Sequence, residues 1–190
     1  MSDLPVILLA AGASSRFGAD KLLQRLPDGM PLALAALDNL RKAGLQVIAV
    51  VRPESKSLAK LFHAAGAQVV ICETASDGMG ASLACGVRAA PNAQGWLVAL
   101  ADMPQIQPET IRAVAEAIDD GVLIAVPHYR GVRGHPVGFS ARFREELSNL
   151  SGDEGAKLLL VEHARQVRFI ECDDPGILAD VDSPEDLLRL

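Results

Sequence analysis

The chain has 190 residues, 49% of them apolar, which is enough for one domain with a sizeable core and argues against disorder. Its 24 acidic and 18 basic residues leave a net charge of −6, the wrong sign for a general nucleic-acid footprint, so a phosphate ligand needs a local basic site. No apolar run is long enough to span a bilayer and no basic segment precedes the first one, so we expect a cytoplasmic protein with no membrane or nucleic-acid partner.

The elements alternate. Pro5 to Ala10 predicts a buried strand, Pro31 to Ala43 an amphipathic helix stopped by Gly44, and Gln46 to Val51 a second strand. A helix over Glu54 to Ala65, stopped by Gly66, leads to a third strand at Gln68 to Cys72. Gly80 to Ala90 reads as a helix ended by Pro91, Trp96 to Ala101 as an apolar fourth strand, Pro108 to Asp119 as a helix and Val122 to Pro127 as a fifth strand. Apolar strands alternating with helices predict a mostly parallel sheet covered on both faces. The rhythm breaks over His128 to Ser140, where Gly131, Gly134 and Pro136 suggest a hairpin or a loop across the sheet's mouth. A helix from Arg142, a Gly-rich turn, a helix from Ala156, a strand at Gln166 to Glu171 and a last helix capped by Ser183 with Pro184 in its first turn complete the chain. Cys72, Cys85 and Cys172 form no C-x-x-C and no even set, so we expect reduced, mostly buried thiols. In such sheets ligands sit beyond the carboxyl ends of the strands. The segments after strands one, three, four and five are therefore the candidates.

The first strand empties into Ala10-Ala11-Gly12-Ala13-Ser14-Ser15-Arg16-Phe17-Gly18-Ala19-Asp20-Lys21. Small residues let backbone N–H groups approach an anion, and Arg16 and Lys21 bring the charge a polyphosphate needs. The spacing fits neither G-x-x-x-x-G-K-[ST] nor G-x-G-x-x-G, which excludes a Walker loop and a dinucleotide fingerprint. A plain βα loop with chance cations is the alternative.

Asp102, at the end of the apolar fourth strand, suits either a hard cation or the cap of the next turn. Gly78-Met79-Gly80-Ala81-Ser82 opens a helix whose first N–H groups either meet a ligand or are capped in the ordinary way. His135, taken alone, is more often structural than chemical.

The segment Leu9-Ala10-Ala11-Gly12-x-Ser14-x-Arg16-Phe17-Gly18-x-x-Lys21 resembles the signature loop of the nucleotidyltransferases, and more narrowly that of the molybdenum cofactor nucleotidyltransferases, with Phe17 in place of the usual Met. Asp102-Met103-Pro104, Gly134-His135-Pro136-Val137, Gly152-Asp153-Glu154-Gly155-Ala156 and Asp180-Val181-Asp182-Ser183-Pro184 resemble further motifs of the family, in family order. The resemblance implies a three-layer αβα sandwich of Rossmann-like type. It implies a nucleotide site at Leu9, Ala10, Ala11, Gly12, Ser14, Ser15, Arg16, Lys21, Gly80, Ser82 and Asp102. Arg16, Lys21 and Asp102 would be catalytic, Mg²⁺ would be held by Asp102 with Asp182, and His135, Asp153 and Gly155 would face the acceptor.

The implied reaction is attack by an acceptor phosphate on a nucleoside triphosphate with loss of pyrophosphate. That chemistry rests on positioning and charge neutralisation and needs no protein nucleophile. Ala11, where guanylyl members carry glycine, points to CTP and to CMP transfer onto molybdopterin. Molybdoenzymes of the xanthine dehydrogenase type are the implied recipients, and a monomer is expected. Guanylyl or other nucleotidyl transfer, and a non-catalytic molybdopterin carrier, remain as alternatives.

Overall fold

A computed structural model describes residues 4–12, 21–153 and 155–187. Ala13, Ser14, Ser15, Arg16 and the rest of the loop to Asp20 lie outside these, as does Glu154.

Strands β1 (Val6–Leu9), β2 (Val47–Val51), β3 (Gln68–Ile71) and β4 (Gly95–Leu100) run parallel in the order β3-β2-β1-β4. The sheet continues through β7 (Val137–Ser140), which is antiparallel to both β4 and β5 (Ile124–Tyr129). The short β6 (Val132–Arg133) folds back on the end of β5 as a hairpin, and β8 (Val167–Glu171) closes the far edge parallel to β5. The segment after Pro127 is thus both a hairpin and an inserted antiparallel strand. Gly138 belongs in β7 for a packing reason: a Cβ there would lie 2.7 Å from Ile118 Cγ1.

Two apolar layers sandwich the sheet because alternate strand side chains point to opposite faces. Val6 and Leu8 of β1 pack with α1 (Leu32–Lys42), α2 (Lys56–Ala64) and α4 (Pro108–Asp119). Ile7 packs on the other face with α3 (Met79–Arg88), α5 (Arg144–Ser148) and α6 (Lys157–Glu162). This is the expected αβα sandwich with a mostly parallel sheet. Helix α4 shows what drives it: Ile111, Val114 and Ile118 recur at helical spacing and are buried, each worth roughly 1.5–3 kcal/mol.

The predicted elements hold with short end shifts. Strand β5 lies two residues further on than its predicted start, and a 3-10 turn, Ala141–Phe143, precedes α5. Helix α7 (Pro184–Leu187) begins as predicted: Ser183 Oγ accepts from the Asp186 N–H at 3.3 Å while Asp186 Oδ2 accepts from the Ser183 N–H at 2.9 Å, a reciprocal cap. The three thiols are unbridged, but only Cys72 is buried; Cys85 and Cys172 are half-buried, which corrects the expectation of mostly buried cysteines. Burial, with Cys72 beside it, pushes the Cys85 thiol up to about 11. Among the described residues no helix is long and apolar enough to cross a membrane.

Candidate active site

The site begins with register. Leu9 of β1 pairs with Val50 of β2 on one side and Leu100 of β4 on the other. Two residues further along, Ala11, Arg52 and Asp102 therefore stand level at three neighbouring strand ends. Asp102 is half-buried, and its backbone carbonyl accepts the Val181 N–H at 2.9 Å. That bond brings the C-terminal Asp180-Val181-Asp182 segment to the end of β4. A second tie comes from Asp174, whose buried carboxylate accepts from the Gln107 N–H (2.9 Å), Thr110 Oγ1 (2.7 Å) and the Gly176 N–H (2.9 Å). A buried carboxylate is tolerated only with its lone pairs so occupied.

Lys21 opens the 3-10 turn Lys21–Leu23, and its ammonium sits between two acids, 2.9 Å from Asp102 Oδ2 and 3.0 Å from Asp182 Oδ1. Burial works to lower its pKa, but the hydrogen bonds and charges of Asp102 and Asp182 together outweigh it and raise it above the usual lysine value. Lys21 therefore stays cationic at neutral pH. Asp180 joins the same acidic neighbourhood: burial, and then the charges of Asp182 and Asp102, hold its carboxyl above the usual range. Among the described residues, Asp102 Oδ1 is buried without a hydrogen-bond partner.

Two cavities meet at this point. One, of about 500 Å³, is lined by Ala10, Ala11, Gly12, Lys21, Ser82 and Asp102, with Arg52 at its β2 side and Ala75 and Ser76 beyond β3. The other, of about 460 Å³, is walled by apolar side chains such as Leu83, Val98 and Phe139, with Arg133, His135 and Lys157 among them. Leu9, Met79, Leu100 and Asp153 line both, so the cavities are neighbours separated by a shared wall. Burial lowers the His135 pKa, against the hydrogen bond of the Val98 carbonyl and the charges of Asp102 and Asp180, so its imidazole is neutral at pH 7. Among the described residues its Nδ1 is buried without a partner.

The glycine segment opening α3 and the turn at 152–155 are one structure. The Gly80 N–H donates to the Gly152 carbonyl at 2.7 Å, and a Cβ on Gly80 would lie 2.6 Å from the Ser151 carbonyl oxygen. Gly80 is buried and lines neither cavity, and its donor is spent inside the chain. Gly155, at φ 53°, packs against the Met79 side chain. Ser82 lines the first cavity, and its Oγ donates to the Gly78 carbonyl at 3.3 Å. Asp153, expected on the acceptor side, borders both cavities. Ser14, Ser15 and Arg16 lie outside the described residues. Arg52 escaped the sequence analysis, although a cation directly after an apolar parallel strand was a signal for it.

The MobA-like NTP transferase domain model matches residues 6–167. The chain belongs to the MobA-like NTP transferase domain family. Within it, the chain is 32% identical to the purine catabolism protein PucB of Bacillus subtilis over 95% of this chain and 92% of that one. It is 29% identical to the nicotine blue oxidoreductase of Paenarthrobacter nicotinovorans, over 100% of this chain and 98% of the relative. A probable molybdenum cofactor guanylyltransferase of Thermococcus gammatolerans is 31% identical over 74% of this chain and 71% of its own. Among solved structures, Rv0371c of Mycobacterium tuberculosis superposes with a TM-score of 0.84 at 30% identity, covering 100% of this chain and 97% of that one. A second structure of Rv0371c, a complex with manganese, superposes at 0.79 with 30% identity, covering 98% of this chain and 97% of that one. The family is thus one of nucleotidyltransferases, the fold has a central, mostly parallel sheet, and a protein of similar fold has been solved with manganese.

Proposed function

We propose that this MobA-like protein transfers CMP from CTP to the phosphate of molybdopterin, releasing pyrophosphate, with Mg²⁺ held by Asp102 and Asp182. The observation that carries the reading is the meeting of the Lys21–Asp102–Asp182 cluster with two adjoining cavities. One is edged by cations and small residues; the other is apolar with a few polar groups.

The residues fit a hard divalent ion. Asp102 Oδ1 is buried and unpartnered among the described residues, and Asp182 and Asp180 bring like charge close to it. Among the described residues no set of three or more His, Cys, Asp or Glu side chains is gathered for a metal. Magnesium asks for less, since it takes one or two carboxylates with phosphate oxygens and water. When bound there it would neutralise charge on the phosphoryl group under attack. Lys21, cationic and shared between the two acids, offsets their repulsion and stands ready for phosphate oxygens. Arg16 belongs with it in this role. The chain's contribution is then orientation: Leu9, Met79, Leu100 and Asp153 form the wall across which the acceptor phosphate meets the α-phosphorus. An acceptor phosphate is already ionised at pH 7, so no general base is required. Gly80 and Gly155 shape this wall, while Ala10, Gly12, Ser14, Ser15 and Ser82 line the nucleotide.

Ala11 supports CTP. The residue lines the cavity and is only 5% exposed, and glycine there would leave more room for a purine. The relative named as a purine catabolism protein fits delivery to a molybdoenzyme of the xanthine dehydrogenase type, since xanthine is a purine. The relative named as a guanylyltransferase favours GTP as a second reading. Equilibrium binding of CTP and GTP with Mg²⁺, followed by pyrophosphate release on adding molybdopterin, separates them. We expect CTP to bind tighter and Ala11→Gly to shift preference roughly tenfold toward GTP, the scale of a one-carbon pocket change. Preference for GTP in the wild type sinks the base assignment. Tight binding of molybdopterin without pyrophosphate release would instead mark a carrier.

A further inference from the structure

Among the described residues, Arg52 is the one cation lining the nucleotide cavity with no role in the scheme above. Its Nε donates to the Ala11 carbonyl at 2.5 Å, and its Nη1 makes only a long 3.5 Å contact with the exposed Glu54. Among the described residues Nη2 donates to no protein acceptor. The side chain as a whole is 25% exposed.

Its place across the sheet decides what it faces. Continuing the pairing of β1 with β2 and β4 sets Arg52 and Asp102 on opposite sides of Ala11. They are about 10 Å apart across the strands, two inter-strand spacings. The phosphate and metal end is fixed at Asp102 by Lys21 and Asp182. The same cavity continues across β1 to Arg52, Ala75 and Ser76, which gives a nucleotide anchored at Asp102 room to extend toward Arg52.

We propose that Arg52 is a nucleoside-binding residue: it pins the Ala11 carbonyl with Nε and presents its remaining N–H groups to acceptor atoms on the edge of the base. The proposal rests on the nucleotide reading of this cavity. A guanidinium holds its donors in a rigid planar fork, so anchoring Nε orients the others and limits the entropy lost when a base edge arrives. Adjacent acceptors suit such a fork, and cytosine O2 and N3 are one such pair. A lysine here could still reach the Ala11 carbonyl but would lose the planar pairing.

The test uses the full chain with Mg²⁺ and two probes, CTP and inorganic tripolyphosphate, which keeps the charge and lacks the nucleoside. Binding is measured by calorimetry for the wild type, Arg52→Gln, Arg52→Lys and the control Glu54→Gln, with thermal melts to verify folding. Arg52→Gln should weaken CTP roughly ten- to a hundredfold, as expected for lost hydrogen bonds from a charged group, and leave tripolyphosphate within about twofold. Arg52→Lys should melt like the wild type yet recover little of the CTP affinity, and it stands in if the glutamine variant fails to fold. Glu54→Gln should bind both probes as the wild type does. Equal weakening of both probes overturns the proposal, because Arg52 would then act only through charge or the phosphate loop. So does unchanged binding of both, or full recovery by lysine. A wild type that binds neither probe overturns the nucleotide reading itself, whatever Arg52 does.

Discussion

The two cavities are built differently. The cavity proposed for the nucleotide gathers residues that stand next to one another at the ends of β1, β2 and β4, so neighbouring strands hold Ala11, Arg52 and Asp102 level. Its charges are in short contact: Lys21 lies within 3.0 Å of both Asp102 and Asp182. The cavity proposed for the acceptor is assembled from β4, the hairpin end, β7 and the start of α6, and Arg133 and Lys157 are exposed at its margin. Among its described lining residues, half-buried His135 has its pKa lowered by burial and is neutral at pH 7. One cavity is therefore an electrostatic device fixed by sheet register, whereas the other is a shaped apolar surface whose polar groups select more than they neutralise. Changes in the first should strike turnover, and changes in the second should strike acceptor affinity or stability.

Asp102→Asn is the sharpest way to break that contrast. The Val181 N–H bonds to the Asp102 backbone, so the tie to the C-terminal segment survives the substitution. Loss of the carboxylate should lower nucleotidyl transfer by roughly 10²–10⁴-fold, the scale of losing one electrostatic contact to a transition state. The melting temperature should move little, because Lys21 keeps Asp182 as a partner. Pyrophosphate release and a thermal melt on the same sample check this; near-wild-type turnover would remove Asp102 from the metal role.

Gly80→Ala probes the joint between the cavities and should have the next largest effect. A Cβ there would crowd the Ser151 carbonyl oxygen at 2.6 Å, and that carbonyl is backbone with little room to yield. Overpacking of this kind costs about 1–3 kcal/mol. Moving the 151–153 turn also moves Asp153, which borders both cavities, so KM should rise for nucleotide and acceptor together. A change confined to one substrate would mean that the turn and α3 do not act as a unit.

The contrast also explains what could be read before the fold was known. Fully buried parallel strands are continuous apolar runs, so β1, β2 and β4 announce themselves, and Asp102 stands out because an acid ends such a run. Helix α4 was legible to the residue from Pro108 to Asp119, where helical spacing and a first-turn proline agree. Strand β7 was not legible: with Gly138 under α4, its four residues carry no period-two signature. Nor was the Lys21–Asp182 pair, whose members lie 161 positions apart and meet only because Val181 docks on Asp102. The use of the Gly80 N–H is a third case. Its acceptor, Gly152, comes from a distant turn that local capping rules cannot supply.

The smallest effect concerns the acceptor cavity alone. Burial is the largest influence on His135 and lowers its pKa; the Val98 carbonyl, Asp102 and Asp180 oppose it, and Arg133 adds to it. A histidine whose folded pKa lies below its unfolded value near 6.5 favours the folded state fully above that pH. The contribution is lost as pH falls below 6.5 and toward the folded value, because the unfolded chain binds a proton that the folded chain resists. His135→Gln should therefore flatten part of the loss of melting temperature between pH 7.5 and pH 5.5 while leaving the Lys21–Asp102–Asp182 contacts in place. Its effect on acceptor KM should exceed its effect on nucleotide KM, since His135 lines only the apolar cavity. If the wild-type and variant melting curves keep the same pH slope, His135 is not held neutral by its surroundings, and the acceptor cavity is more open to water than its lining implies.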